Sequence, residues 1–418
     1  MLFLWRMNLS ERPPKVLTSG VPACISQQHK RYALRENHYF CPAFFAFLMS
    51  TLHIFCPWHE EALASGLSHF TPPQAARRMA DSLCTLPAWW AESGDTVWVP
   101  DAALPFDSEN TPGIIFTSHP DFAPITQIDA WGWNLALRQG LLRMGCPENL
   151  LPSEAYLQHQ REHRSRRSTS TMLSTLQNEG LGCDFRSWWC EDEAMVHEVA
   201  ARHGGDFIAK APWSGSGRGV FRFNEENPAA RQRIRNILQR QGGIEVEPFY
   251  KRLSDFAMEF HLTDKGCDFV GLSLFSTNEA GAYTGNLVAE DERLVEELCA
   301  TAEKHESGSA NRVKLSLANI RTALTHALPL QFSSIRGYAG VDMMLVQLPC
   351  GSVALHPCVE INLRRTMGLV AIQMRQHLPT GCSEGRYQVR PTPPCNTQEA
   401  HGLRLTPEGM PFEACLLF

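Results

Sequence analysis

Lys210 closes the short apolar run Phe207-Ile208-Ala209-Lys210 and is followed at once by Ala211-Pro212-Trp213-Ser214-Gly215-Ser216-Gly217-Arg218-Gly219. A second short run, Val220-Phe221-Arg222-Phe223, comes next. Small residues let backbone N–H groups approach phosphate oxygens closely, and successive amides form a nest for an anion. Lys210 beside such a loop supplies a point charge for the α- and β-phosphates of a nucleotide. The plainer reading is a tight hairpin with a glycine tip, and the loop by itself does not decide. Its order does exclude other phosphate-binding designs. No G-x-x-x-x-G-K-[ST] is present, and the lysine precedes the glycines, the reverse of a protein kinase. No helix follows directly, as a dinucleotide-binding turn requires.

A second constellation lies in residues 340–346 and 354–362, two apolar stretches around a turn near Gly351. An antiparallel hairpin there puts Asp342 opposite Glu360, and Asn362, two residues on, projects from the same face. Two carboxylates and an amide on one patch suit Mg²⁺, which takes a few protein oxygens and keeps phosphate oxygens and water. The other reading is a solvent-facing strand edge; the flanking Val341, Met343, Val359 and Ile361 argue for a packed sheet. A third segment, Glu245-Val246-Glu247-Pro248-Phe249-Tyr250, has the character of an acidic connector between two strand-rich lobes. Such a connector offers groups to adenine through Glu247 and Phe249, and Asp255, eight residues past Glu247, to ribose hydroxyls. Acid-Pro-aromatic segments are also common in plain loops.

The elements that must hold these residues follow from periodicity. From Thr51 onward a strand at residues 52–55, a helical stretch at 60–66, a helix at 74–86 and a strand at 96–99 alternate as in a small α/β domain. Residues 161–245 read as helix, strand, glycine loop, strand and a basic helix. Strands dominate from 245 to about 375, interrupted by a long helical insert at 291–328, and residues 403–405 and 412–417 form a closing edge hairpin. The division expected is 1–48, an N-terminal extension of uncertain status with Met49 as an alternative start; 49–160; 161–245; and 246–418. Residues 41–58 are apolar but broken by Pro42, His53 and Pro57, short of the roughly 20 apolar residues of a span.

Composition narrows the function class. With 44% hydrophobic and 20% charged residues and a net charge of −6, nothing calls for nucleic acid or an anionic membrane as partner. Fourteen cysteines are scattered without a Cys-x-x-Cys, which fits a reducing compartment and a cytoplasmic protein.

The order lysine, glycine loop, glutamate connector, aspartate and Glu360-Ile361-Asn362-Leu363-Arg364 resembles the ATP-grasp superfamily, over residues 160–375. The resemblance implies an α+β fold, two lobes gripping ATP, preceded by a small α/β pre-ATP-grasp domain in 49–160. By that resemblance Lys210 contacts the α/β-phosphates, and Ser214, Gly215, Ser216, Gly217, Arg218 and Gly219 close over the β/γ-phosphates. Glu247 with Phe249 holds adenine and Asp255 the ribose. Asp342, Glu360 and Asn362 bind two Mg²⁺ ions, and Arg364 neutralises the transferring phosphoryl group. Two departures stand out. No lysine lies between Lys30 and Lys210, so Arg166 or Arg167 must take the place of the family's upstream lysine, and Leu363 stands where the family often has proline.

The activity implied is ATP- and Mg²⁺-dependent ligation: a small-molecule carboxylate becomes an acyl-phosphate that an amine or thiol attacks. Two alternatives are an ATP-binding regulatory or scaffold protein without turnover, and a phosphotransferase without a joining step. Outside the motifs, Arg336 is a further candidate for a cation near the γ-phosphate or, instead, a helix C-cap. His59 and Glu60 are candidates for contacting the acceptor, although a cap or surface role is the commoner use of such a histidine. Trp131 and Trp133 read first as core packing at a helix start. Neither the acid, the acceptor nor the oligomeric state is legible.

Overall fold

Alternation of apolar and polar residues builds three sheets. The computed structural model describes residues 50–101, 110–204, 206–215, 219–224, 226–278, 281–393 and 402–418; the expected N-terminal extension and Ser216, Gly217 and Arg218 lie outside them. Met49–Phe418 is one compact unit, and its fold class is α+β.

The first sheet is parallel, in the order β3-β2-β1-β4, from β1 (Ser50–Ile54), β2 (Thr96–Trp98), β3 (Ile115–Thr117) and β4 (Ile125–Ala130). Leu52 and Ile54 enter a core with Leu83, Leu86 and Trp89. Thr51 and His53 face the other way, in register with Gln127 and Asp129. Helices α1 (His59–Ser65), α2 (Gln74–Leu83), α3 (Leu135–Arg143) and α4 (Glu154–His163) accompany this sheet. The helix expected at 74–86 stops at Leu83, and Pro87 sits in a separate 3₁₀ turn, Leu86–Trp89.

The second sheet runs β5-β8-β6-β7: β5 (Trp188–Cys190), β6 (Phe207–Lys210), β7 (Val220–Phe223) and β8 (Ile244–Pro248). Helix α5 (Arg167–Asn178) precedes it, and α6 (Glu193–His203) and α7 (Pro228–Gln241) cover one face. Val196, Ala200 and Ile234 pack there on Ala209 and Val246. On the opposite face stand Lys210, Glu245 and Glu247, because Lys210 is in register with Glu245 and Ile208 with Glu247.

The third sheet is antiparallel, ordered β13-β12-β9-β10-β11-β14-β16-β15. Its strands are β9 (Lys251–Thr263), β10 (Gly266–Thr277), β11 (Tyr283–Ala289), β12 (Gly337–Gln347), β13 (Val353–Asn362), β14 (Glu384–Pro391), β15 (Gly402–Arg404) and β16 (Phe412–Leu417). The long insert is two helices, α8 (Asp291–His305) and α9 (Ala310–Gln331). They part at Gly308, whose φ of 80° is a left-handed conformation that a helix cannot carry through. Phe256, Met258 and Phe260 of β9 and Val341 and Met343 of β12 pack beneath Leu298, Leu317 and Leu324. The alternate residues therefore form the other face: Asp255 and Glu259 from β9, Asp342 from β12, Glu360 and Asn362 from β13. A last helix, α10 (Met367–Met374), lies on that side, capped by Thr366.

Candidate active site

The hairpin register expected from the turn is the one observed: Asp342 pairs with Glu360 and Gly340 with Asn362. Asn362 Nδ2 donates to Asp342 Oδ2 at 3.2 Å. Burial, then Glu360 and Glu259, push the Asp342 carboxyl well above its usual range. Crowded, half-buried carboxylates of this kind are costly unless a cation joins them. The donor set fits the few-ligand mode of Mg²⁺, which keeps places for phosphate and water. Among the described residues, no group of three or more His, Cys, Asp or Glu side chains forms a metal cage.

Lys210 faces this hairpin from the small sheet. It is 2% exposed. Its Nζ donates to Val359 O at 2.9 Å and lies 2.8 Å from Glu247 and 3.8 Å from Glu245. Burial opposes the lysine's charge, but Glu247 and then Glu245 outweigh it and raise its pKa. Burial, with Glu245, pushes the Glu247 carboxyl up to about 7 against the pull of Lys210. Glu247 thus occupies the lysine in this form of the protein, and Phe249 beside it is 46% exposed beneath the Arg222 guanidinium. Asp255 lies on the same sheet face as Glu259 but is bound to Arg252 at 2.8 Å and to Thr277 at 3.4 Å.

The two candidates for the missing lysine separate. Arg167 is exposed and pairs with Glu191 at 3.3 Å. Arg166 is buried, lies 2.8 Å from Glu360, and donates to Ala211 O at 3.1 Å and to Ser214 O and Oγ at 3.3 Å. It joins the glycine loop to the acidic hairpin. Gly219 turns with φ 83°, and a Cβ there would come within 2.8 Å of Ser214. Gly215 approaches Glu60.

Arg364 follows Asn362 on the same strand end. Its Nη2 donates to Asn362 Oδ1 at 3.0 Å, its Nη1 to Arg365 O at 2.9 Å, and its Nε bonds Glu60. Burial works against the Glu60 charge, but Arg364 holds its pKa below the usual value. His59 is buried against Gly132 and Asn134, and burial drives its pKa down to about 3, so it is neutral. Arg336 pairs with Asp264 at 2.6 Å and donates to Ser333 O and Ile335 O just past α9. It lines a cavity of about 710 Å³ together with Arg364, Trp131 and Trp133. A small cavity of about 20 Å³ shares Arg164, Leu363 and Arg364 with it and reaches Ser214, Glu360 and Asn362.

Three residues of this region escape a motif-based reading. Glu259 is buried opposite Gly340; Thr366 Oγ1 donates to its Oε1 at 2.6 Å, and burial pushes its pKa up to about 7. His53 sits between Asp95 at 3.0 Å and Asp129 at 2.9 Å. Arg365 grips Asp129 and lies over the Trp90 and Tyr338 rings. A carboxylate within the apolar run Phe256-Ala257-Met258-Glu259-Phe260 was the one usable signal.

No family model and no curated protein matches this chain. Solved structures do. The chain is similar to N5-carboxyaminoimidazole ribonucleotide synthetase from Thermus thermophilus, at 12% identity and a TM-score of 0.44, over 88% of this chain and 93% of that one. The Aspergillus clavatus N5-carboxyaminoimidazole synthase, solved with ADP and 5-aminoimidazole ribonucleotide, is similar at 11% identity and 0.43, over 89% and 94%. The biotin carboxylase domain of Hydrogenobacter thermophilus 2-oxoglutarate carboxylase, with MgADP and bicarbonate, is similar at 11% and 0.45, over 88% and 85%. Likeness this distant leaves the functional reading to the residues themselves.

Proposed function

We propose that this chain binds ATP with Mg²⁺ between its small and large sheets and transfers the γ-phosphoryl group to a carboxylate. Under this reading residues 161–245 and 246–418 are the gripping lobes and 49–160 the domain before them. The observation that carries it is the placement of Asp342, Glu360 and Asn362 on one half-buried sheet face, confronted by Lys210 and tied to the glycine loop through Arg166. Lys210 and Arg166 exchange their present carboxylate partners for phosphate oxygens, and Arg364 stands beside Asn362 to stabilise charge on the group in transit. Mg²⁺ held by Asp342, Glu360 and Asn362 would offset the charge of the phosphates. A carboxylate oxygen bonds to the γ-phosphorus, the bond to the β,γ-bridging oxygen breaks, and ADP leaves with the electron pair. An amine or thiol then attacks the acyl carbon, phosphate leaves, and the attacking group's proton passes to solvent.

A second reading, nucleotide binding without turnover, has one observation in its favour: Lys210 is enclosed and already paired with Glu247. No helix among the described residues is long and apolar enough to cross a membrane. The fourteen scattered cysteines, with no Cys-x-x-Cys, are in keeping with a reducing compartment such as the cytoplasm.

The test is thermal stability with Mg·ATP for wild type, Lys210→Ala and Glu360→Ala. Ligand at about 100 times its Kd stabilises a fold by roughly 2.7 kcal/mol. A magnesium-dependent shift in wild type that fades in both variants is the expected result, and no shift in wild type refutes the nucleotide site. ADP release with hydroxylamine trapping of an acyl-phosphate then separates the two readings. Tight binding with no ADP release across broad acid pools leaves the binding protein standing.

A further inference from the structure

The large cavity holds four arginines in its wall, and three are committed to carboxylates: Arg336 to Asp264, Arg364 to Glu60 and Arg365 to Asp129. Arg164 has no ion pair among the described residues. Its Nη1 donates to Trp133 O at 2.7 Å, and its Nε is buried without a partner. A guanidinium carries five donors in a fixed fork, so most of this one's capacity is unused. Burial pulls its pKa down to about 10 although Tyr156 and Glu60 oppose that. A half-buried cation whose Nε is enclosed without a partner is costly to keep.

The wall facing it is equally unusual. A parallel sheet is ordinarily covered on both faces, but the side of β1 and β4 bearing Thr51, His53, Gln127 and Asp129 lines this cavity. Its Asp95 and Asp129 are matched by His53 and Arg365, which leaves that wall no cation to spare for a dianion such as phosphate. A monoanion at Arg164 is compatible with it. Arg164 also lines the small cavity that reaches Glu360 and Asn362, so an anion held there stands at the approach to the acidic hairpin.

We propose that the large cavity is the binding site of a small organic acid, whose carboxylate is held by the Arg164 fork. This deepens the phosphoryl-transfer reading, which it relies on only for the statement that this carboxylate is the one activated.

The experiment is thermal stability without nucleotide, titrating acetate, succinate, glutamate and benzoate against phosphate and chloride at matched ionic strength. At least one carboxylate should stabilise wild type beyond phosphate and chloride. Arg164→Gln should abolish that shift. Arg164→Lys keeps the charge but loses the fork, and should weaken the affinity roughly tenfold or more, as loss of a charged hydrogen bond predicts. Arg164→Lys decides the matter if Arg164→Gln does not fold. The proposal is overturned if no acid of the panel stabilises wild type, if phosphate does so as well as the best acid, or if Arg164→Lys binds like wild type. A parallel Mg·ATP titration of wild type keeps the two readings apart. An Arg164-dependent acid shift with no Mg·ATP shift supports this site and refutes the nucleotide reading.

Discussion

Glu259 sets a pH dependence that can be worked out from its surroundings. It is 1% exposed, takes one hydrogen bond from Thr366, and its Oε2 has no partner. Burial raises its pKa from 4.5 to about 7, against the weaker pulls of Thr366 and Arg364. Between those values the folded state binds a proton that the unfolded chain has released, so stability falls as pH rises. The contribution is fully present below about pH 4.5 and gone above about pH 7. At about 1.4 kcal/mol for each tenfold change in proton affinity, the loss is roughly 3 kcal/mol. Glu259→Gln keeps the shape and can accept from Thr366 through its amide oxygen, but it cannot ionise. Urea denaturation of both proteins from pH 4.5 to 8 isolates this group and its effect on Asp342, because the more distant titrations are common to the pair. The variant should gain on wild type by roughly 3 kcal/mol across the window. A stability gap that stays constant with pH would show that Glu259 ionises as an ordinary exposed carboxylate does, and the account of its burial would be wrong.

Three further outcomes follow from packing and pairing. Gly368→Ala drives a methyl group into Glu259 Oε1 and Ser273 Oγ, and should cost about 1–3 kcal/mol by overpacking, read from denaturation midpoints. Arg166→Ala removes the partner of Glu360 and three bonds to the glycine loop. Breaking a buried pair from one side costs roughly 3–5 kcal/mol, with the low end expected because Glu360 is partly exposed, read from denaturation midpoints. Leu324→Ala, on the buried face of α9, should cost about 2–5 kcal/mol in the same assay without altering nucleotide-induced stabilisation.

The parts of the site that could be read from the sequence are those fixed by local pattern. Phe207–Lys210 and Val220–Phe223 are the strands expected on either side of the glycine loop, because each is a short apolar run with clear boundaries. The Asp342–Glu360 pairing followed from a turn at Gly351 and a period of two. Helical periodicity runs across the insert expected at 291–328, but Ser307-Gly308-Ser309 separates it into two helices. Strands β3 and β4 were not anticipated; β3 is only three residues long and β4 carries Gln127 and Asp129 on its second face. Arg164 and Arg166 lie at helix ends, where arginine is unremarkable. What makes them part of the site is contact with residues far along the chain, such as Glu360, and no local pattern encodes that. The same holds for His53, whose partners Asp95 and Asp129 arrive from two other strands.

The charges between the two sheets give a reason for the metal that is independent of any likeness. Glu245, Glu247, Asp342 and Glu360 face Lys210 and Arg166, with Glu259 beside Asp342, while Arg364 is bound to Glu60. Acids outnumber the cations available to them; burial raises the pKa values of Asp342, Glu259 and Glu247, and neighbouring acids add to it for Asp342 and Glu247. A triphosphate entering alone would compete with these carboxylates for Lys210 and Arg166 and leave more negative charge unpaired than before. A divalent cation entering with it reverses that balance. Stabilisation by ATP should therefore vanish when a chelator removes magnesium, at any nucleotide concentration that is otherwise saturating. Full stabilisation by metal-free ATP would mean that the acids ionise less, or lie farther from the phosphates, than their arrangement on the two facing sheets implies.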